Sequence, residues 1–208
     1  PIEWTADGWY RTKSTATPIK TDPSIKHGLS LSDDFEGPEP GLQWTFWKEY
    51  VPKALTFDNG TLWMKAKGRT PADGRLLLTT AEDKNYETQV EINIGNGNTG
   101  GLVLFYNENA YAGVVSDGKK FIVYQNASKQ LELPNELGKR FIAKIHNQGN
   151  NLRIMVSKDS KEWITLAENV DVSQMHHNNY HGFYALRIGL LSAGKGRAGF
   201  KQFRYKNA

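Results

Sequence analysis

The chain has 208 residues, with 26 Lys and Arg against 22 Asp and Glu, a net charge of +4 and no cysteine. Without cysteine there is no disulfide framework, and because both signs of charge interleave there is no basic block to track phosphates, so nucleic-acid binding is not expected. No run of about 18 apolar residues exists to span a membrane, while 38% hydrophobic and 12% aromatic residues provide for a sizeable core.

The first ten residues, PIEWTADGWY, set Trp4 and Trp9 in a polar context. They resemble neither a signal nor a transit peptide. Two indoles here are expected to pack on a β surface, and the segment reads as continuing from a longer protein. Residues 11–27 are rich in Lys, Thr, Ser and Pro without apolar period, as in a linker. Residues 1–28 are therefore read as a tail and 29–208 as the folded domain.

Within that domain, residues 29–35 alternate like a first strand. Residues 54–66 form a hairpin about Asp58-Asn59-Gly60. Residues 76–80 are a short apolar run, and 86–94 alternate cleanly, with Tyr86, Thr88, Val90, Ile92 and Ile94 on the core side. Strands at 102–106, 111–116 and 121–125 follow, the last two joined by Asp117-Gly118. One helical turn is expected at 134–139. Residues 141–148 pair with 152–157, and 163–166 form a short strand. The last signal is a hairpin of 184–191 with 199–205 about Ser192–Gly196 turn residues, with Tyr184, Leu186, Ile188 and Leu190 facing the core. About a dozen strands with frequent turns imply an all-β fold, a two-sheet antiparallel β-sandwich.

Motifs for nucleophilic, metalloprotease or phosphate chemistry are absent from the sequence. His176, His177 and His181 are either metal ligands or exposed loop residues, and neighbours on an extended chain diverge. Asp33 and Asp34 are either calcium ligands or solvated carboxylates at a strand end. Glu87 and Glu91 share a strand face, but that implies no cleft of the kind glycoside hydrolysis needs. Trp44, Phe46, Trp47 and Tyr50 either stack on sugars or belong to an aromatic core. Phe183 falls on the outward parity at a loop-to-strand junction, where it either caps an apolar edge or serves a site.

Three stretches carry a resemblance: LSDDFEGPEPGLQWTFW at 31–47, GLVLFYNENAYAGVVSDGKKFIVY within 86–125, and HGFYALRIGLLSAGKG with FKQFRY near the end. Together they resemble the C-terminal concanavalin A-like β-sandwich of family 43 β-xylosidases and α-L-arabinofuranosidases. PIEWTADGWY is similar to the segment leaving the catalytic five-bladed propeller of those enzymes. The resemblance implies an accessory domain whose partner, the N-terminal propeller, holds the catalytic carboxylates. It also implies a loop aromatic carried to the substrate pocket, matched here by Gly182-Phe183, with His181 and Tyr184 beside it as substrate-binding candidates. The implied substrate is a xylo- or arabino-oligosaccharide. His181 stands where a second Gly is common, and Tyr184-Ala185-Leu186 replaces a Phe-Thr-Gly-like run. No cofactor is implied except calcium at Asp33 or Asp34, a site weakened by Lys201 where an Asp is expected. The alternatives are a free-standing carbohydrate-binding module, which needs a row of solvent-facing aromatics on one sheet face, and a structural interaction domain with an exposed apolar patch.

Overall fold

The computed structural model describes residues 2–12 and 29–207, and most of the stretch read as a linker lies outside the described residues. In chain order the strands are β1 (Ile2–Trp4), β2 (Tyr10–Thr12), β3 (Thr45–Phe46), β4 (Leu55–Asp58), β5 (Thr61–Lys65), β6 (Arg75–Thr80), β7 (Asn85–Ile94) and β8 (Asn98–Asn107). They continue as β9 (Ala110–Ser116), β10 (Lys120–Gln125), β11 (Ser128–Pro134), β12 (Arg140–Gln148), β13 (Asn151–Ser157), β14 (Trp163–Asp171), β15 (Arg187–Gly194) and β16 (Arg197–Asn207). A one-turn helix, α1 (His177–Tyr180), lies between β14 and β15.

Two seven-stranded antiparallel sheets face each other. The first runs β11-β10-β9-β8-β15-β6-β3 and the second β14-β13-β12-β7-β16-β5-β4. This is the expected all-β sandwich. The cause is plainest in β7, where Tyr86, Thr88, Val90, Ile92 and Ile94 are buried while Glu87, Gln89, Glu91 and Asn93 turn outward. Between the sheets lie Leu62, Met64, Leu102, Leu104, Phe141, Ile145, Ile154 and Phe200 among others.

The first sheet departs from simple alternation because it is packed on both faces. Val103, Phe105, Tyr111, Val115, Tyr124 and Leu191 form a second apolar layer on its outer side, with Trp47, Ala72 and Ala127 laid over it. The loop between β5 and β6 provides part of that cover. It is braced by Asp73, whose Oδ1 accepts the N–H groups of Arg69 and Thr70 at 2.9 and 2.8 Å. It comes so close that a Cβ on Gly74 would stand 2.5 Å from Leu191 Cδ1.

The expected hairpins at 54–66 and 141–157 and the run of paired strands from 102 to 125 are all present. The closing hairpin is not. β15 pairs with β6 and β8 in the first sheet, whereas β16 pairs with β5 and β7 in the second. The glycine-rich turn thus carries the chain from one sheet to the other. Both parities of β15 are buried, Gly189 and Leu191 as well as Ile188 and Leu190, so alternation could not reveal its register. Tyr184 and Leu186 precede the strand. Ser192 belongs to β15 and ties the sheets together: its hydroxyl donates to Met64 O at 2.8 Å and accepts from Ala198 N at 3.2 Å and Asn98 Nδ2 at 3.1 Å.

Other boundaries differ for local reasons. Residues 29–35 make a single bridge, Asp33 to Phe203, because Phe35 takes a positive φ of 55° and turns the chain away. Residues 136–139 form a turn closed by Asn135 Oδ1, which accepts from Leu137 N and Gly138 N, and no helix forms there. β11 is a largely exposed edge strand in which Leu133 is partly buried against the core and Leu131 is exposed, and β14 extends well past 166. In the β1–β2 hairpin Trp4 and Trp9 are 76% and 72% exposed, and Trp4 meets Tyr10 edge-on. The expected packing of both indoles on a β surface is not found among the described residues.

Phe200 fills the inter-sheet core with no exposed surface. Phe200→Ala should lower stability by about 3–5 kcal/mol, the usual range for emptying a core Phe site. Urea denaturation measures this, and a loss below about 1 kcal/mol would contradict the packing described.

Candidate functional site

The end of β8 and the segment leading into β15 meet at one end of the sandwich. Tyr106 is buried, and its hydroxyl lies 2.6 Å from Gly182 O and 3.1 Å from His181 O, donating toward these two carbonyls. Asn107 Nδ2 donates to Tyr180 O at 3.0 Å. Two side chains of a doubly packed strand therefore clamp the backbone of 180–182. A loop without regular pairing is otherwise ordered only by such bonds.

α1 sets the direction of this loop. His176 caps it, its Nδ1 accepting from Asn178 N at 3.3 Å, and His181 N donates to His177 O at 2.9 Å. His181 and Gly182 then take positive φ values of 55° and 72° in succession. At 182 glycine is required twice over, because a Cβ would also stand 2.5 Å from the Tyr184 ring. This reversal throws the Phe183 side chain outward, where it is 94% exposed. The Phe183 ring stacks on His177, with centroids 5.3 Å apart and planes at 26°.

Tyr184 turns the other way. Its ring lies edge-on to Trp47 at 5.1 Å and to Tyr106 at 5.8 Å. Trp47 in turn sits on Phe105 at 5.1 Å, and its indole N–H donates to Glu108 Oε1 at 3.0 Å. Lys48 forms an ion pair with Glu108. Burial pushes the Glu108 carboxyl up, but the Lys48 and Trp47 hydrogen bonds outweigh it and hold the group below its ordinary range. The Arg187 guanidinium lies 5.2 Å from the Trp47 ring. Burial lowers its pKa, opposed by Tyr184.

Of the three residues expected at the site, Phe183 presents its ring to solvent. The Tyr184 ring supports the loop from behind, and His181 contributes its backbone to the clamp. His177, expected as either a metal ligand or an exposed loop residue, is exposed and is the histidine in contact with Phe183. The signal for it is weak, since an aromatic contact six residues away follows only once α1 is known.

The remaining candidates are occupied otherwise. Asp33 Oδ1 accepts from Phe35 N at 2.7 Å, and its Oδ2 accepts from Trp44 Nε1 at 2.8 Å and Gln43 Nε2 at 3.1 Å. Asp34 pairs with Arg204 at 2.5 Å. Among the described residues no group of three or more His, Cys, Asp or Glu is placed to hold a metal ion. Glu87 lies 3.2 and 3.3 Å from Lys144 and Lys206, and Glu91 2.7 Å from Arg140, all on the outer face of the second sheet. Trp44 is core, Phe46 and Trp47 are partly buried, and Tyr50 is exposed beside Phe46.

Residues 32–206 match the β-xylosidase C-terminal concanavalin A-like domain. The chain belongs to this family. It is thereby an accessory domain of family 43 enzymes, and the terms hydrolase and carbohydrate metabolism apply to that family. The GH43 protein BlXynB of Bacillus licheniformis superposes with a TM-score of 0.79 at 19% identity, covering 100% of this chain and 46% of that one. The xylan β-1,4-xylosidase of Bacillus halodurans C-125 gives 0.75 at 17% identity, with 99% and 46% covered. The Bacteroides ovatus protein described as xyloglucan PUL GH43B gives 0.76 at 16%, with 100% and 46% covered. At these identities the likeness is one of fold, and the chain spans about half the length of each of these structures. No curated protein matches it in sequence.

The Tyr106 clamp can be tested directly. Tyr106→Phe removes one hydroxyl and leaves two carbonyls without their donor, and should cost about 1–2 kcal/mol. Urea denaturation reads the loss, and hydrogen exchange at the His181 amide should quicken. Unchanged exchange there would show that the hydroxyl does not order the loop.

Proposed function

We propose that this chain is the C-terminal sandwich of a glycoside hydrolase acting on xylosides or arabinosides. In this reading it docks on a five-bladed catalytic propeller and offers Phe183 to the substrate pocket. Residues 1–28 are the tail leading from the propeller and 29–208 the sandwich. The observation that carries the proposal is the Phe183 ring, 94% exposed yet mounted on a loop clamped by buried side chains. A large apolar ring held out in solvent on an ordered support gains nothing for this chain alone, and it is placed where a surface or ligand can cover it. At the rim of a sugar pocket the ring would exclude water and limit the number of subsites, favouring attack at chain ends. His181 borders it, and Tyr184 backs the loop.

The sheet faces favour this reading over a free-standing sugar-binding module. Trp63 and Trp163 lie toward opposite edges of the second sheet. Each carries a cation, Arg197 at 4.3 Å and Lys144 at 4.0 Å from the ring centroids. They do not form a row of open stacking surfaces. The outer face of the first sheet is filled by its own second apolar layer.

Phe183→Ala should change the stability of this chain by less than about 1 kcal/mol, well under the roughly 3–5 kcal/mol of a core Phe. In the protein carrying the catalytic domain, kcat/KM should fall about 10- to 100-fold, or about 1.4–2.8 kcal/mol of transition-state stabilisation. Large destabilisation with unchanged kinetics would refute the proposal. This chain alone should leave aryl xylosides and arabinosides intact, because Glu87 and Glu91 are ion-paired on an open sheet face and flank no cleft. Turnover co-eluting with the chain in size exclusion would overturn that expectation.

A further inference from the structure

We infer that His177 is the positioning residue for Phe183, a role that rests on the proposed function of that ring. An exposed Phe side chain would ordinarily exchange among its staggered rotamers on the picosecond-to-nanosecond scale. Here the ring, though 94% exposed, stands beside the imidazole of His177 in an offset stack, 5.3 Å between centroids and 26° from parallel. The imidazole is itself exposed, so it holds the ring by contact and buries nothing for the core.

His177 is suited to this because its own backbone is fixed. It opens α1, and its carbonyl accepts the His181 N–H at 2.9 Å, closing the turn that also aims Phe183. Just before α1 Met175 is buried, and at its end Tyr180 packs against the main core. Asn179 Nδ2 donates to the carbonyl and side-chain oxygens of Gln174 at 3.1 and 2.6 Å, bracing the approach to the helix. The imidazole and the ring it supports are thus mounted on one small framework, joined to β8 through Asn107 and Tyr106. A ring that must seat in a pocket on another domain gains from being held in its seated rotamer beforehand, since less freedom is lost on closure.

The role predicts a pattern that a structural histidine would not give. In the protein carrying the catalytic domain, assayed with 4-nitrophenyl β-D-xyloside and α-L-arabinofuranoside, His177→Ala should lower kcat/KM about 3- to 10-fold. The denaturation midpoint should not move. His177→Phe, which keeps a flat ring, should restore kcat/KM to within about twofold. The double variant His177→Ala, Phe183→Ala should be no worse than Phe183→Ala alone, because His177 acts through that ring. In NMR spectra of this chain, His177→Ala should average the Phe183 χ1 couplings, and Phe183→Ala should remove an upfield ring-current shift from the His177 ring protons. Wild-type kinetics for His177→Ala beside an impaired Phe183→Ala would overturn the positioning role and leave the proposed function standing. Additive losses in the double variant would also overturn it. Unchanged kinetics for Phe183→Ala would overturn both.

Discussion

The first sheet is packed from above and below, and β8 runs through its middle with nine of ten positions buried. Leu102, Leu104 and Tyr106 face the second sheet, while Val103 and Phe105 face the outer apolar layer. Such a strand has little freedom to shift, since movement toward either side meets close-packed side chains. What it carries at its end is held equally firmly. Tyr106 and Asn107 reach out of this fixed strand to grip the loop before β15, so the rigidity of the core is passed to an otherwise irregular segment.

The same double packing decides where the molecule offers a contact. With the outer face of the first sheet filled by Trp47 and the loop around Ala72, the exposed apolar surface is displaced to loops, edges and the β1–β2 hairpin. The second sheet presents a charged exterior in which Glu87 meets Lys144 and Lys206, and Glu91 meets Arg140. Pairs of this partly exposed kind contribute little to stability individually. They keep that face wet, and they leave the clamped end of the sandwich as its distinctive surface.

Much of the fold could be read directly from residue order where one face of a strand meets water. The alternation in β7 predicts its two faces residue by residue, and the turns at Asn59-Gly60 and Gly149-Asn150 mark genuine hairpins. Alternation loses its meaning in β15, where Gly189 and Leu191 are as buried as Ile188 and Leu190, and the glycines after it signal a reversal without showing that the chain changes sheets there. β11 has only a weak strand signal, because Ser128-Lys129-Gln130 lies at an exposed edge with nothing to bury and Leu133 is only partly buried. At the site, strand parity gives Phe183 its outward direction in the sequence, whereas in the fold residue 183 lies before β15 and the reversal at His181 and Gly182 sets that direction. Its clamp has no sequence signal, because the Tyr106 hydroxyl acts 75 and 76 residues away in sequence and nothing local distinguishes it from an ordinary core tyrosine. The Phe183–His177 stack depends on two consecutive positive φ values, one of them at a histidine, which no residue preference announces.

The passage from β15 to β16 across the sandwich bears on how the chain is made. β15 lies between β8 and β6, and β16 between β7 and β5, so each sheet lacks an interior strand until residues 187–207 have been synthesised. Earlier strands can form local pairs such as β12 with β13 while the chain is still emerging from the ribosome. The two half-sheets on either side of each gap, however, have nothing to join them. Late contacts also span great sequence distance: Ser32 meets Tyr205 at a separation of 173 residues. A topology of such long-range pairings folds slowly and leaves strand edges open meanwhile. Closure of both sheets therefore waits on residues 187–207, and the loop that holds Phe183 gains its full setting only with β15 in place between β8 and β6.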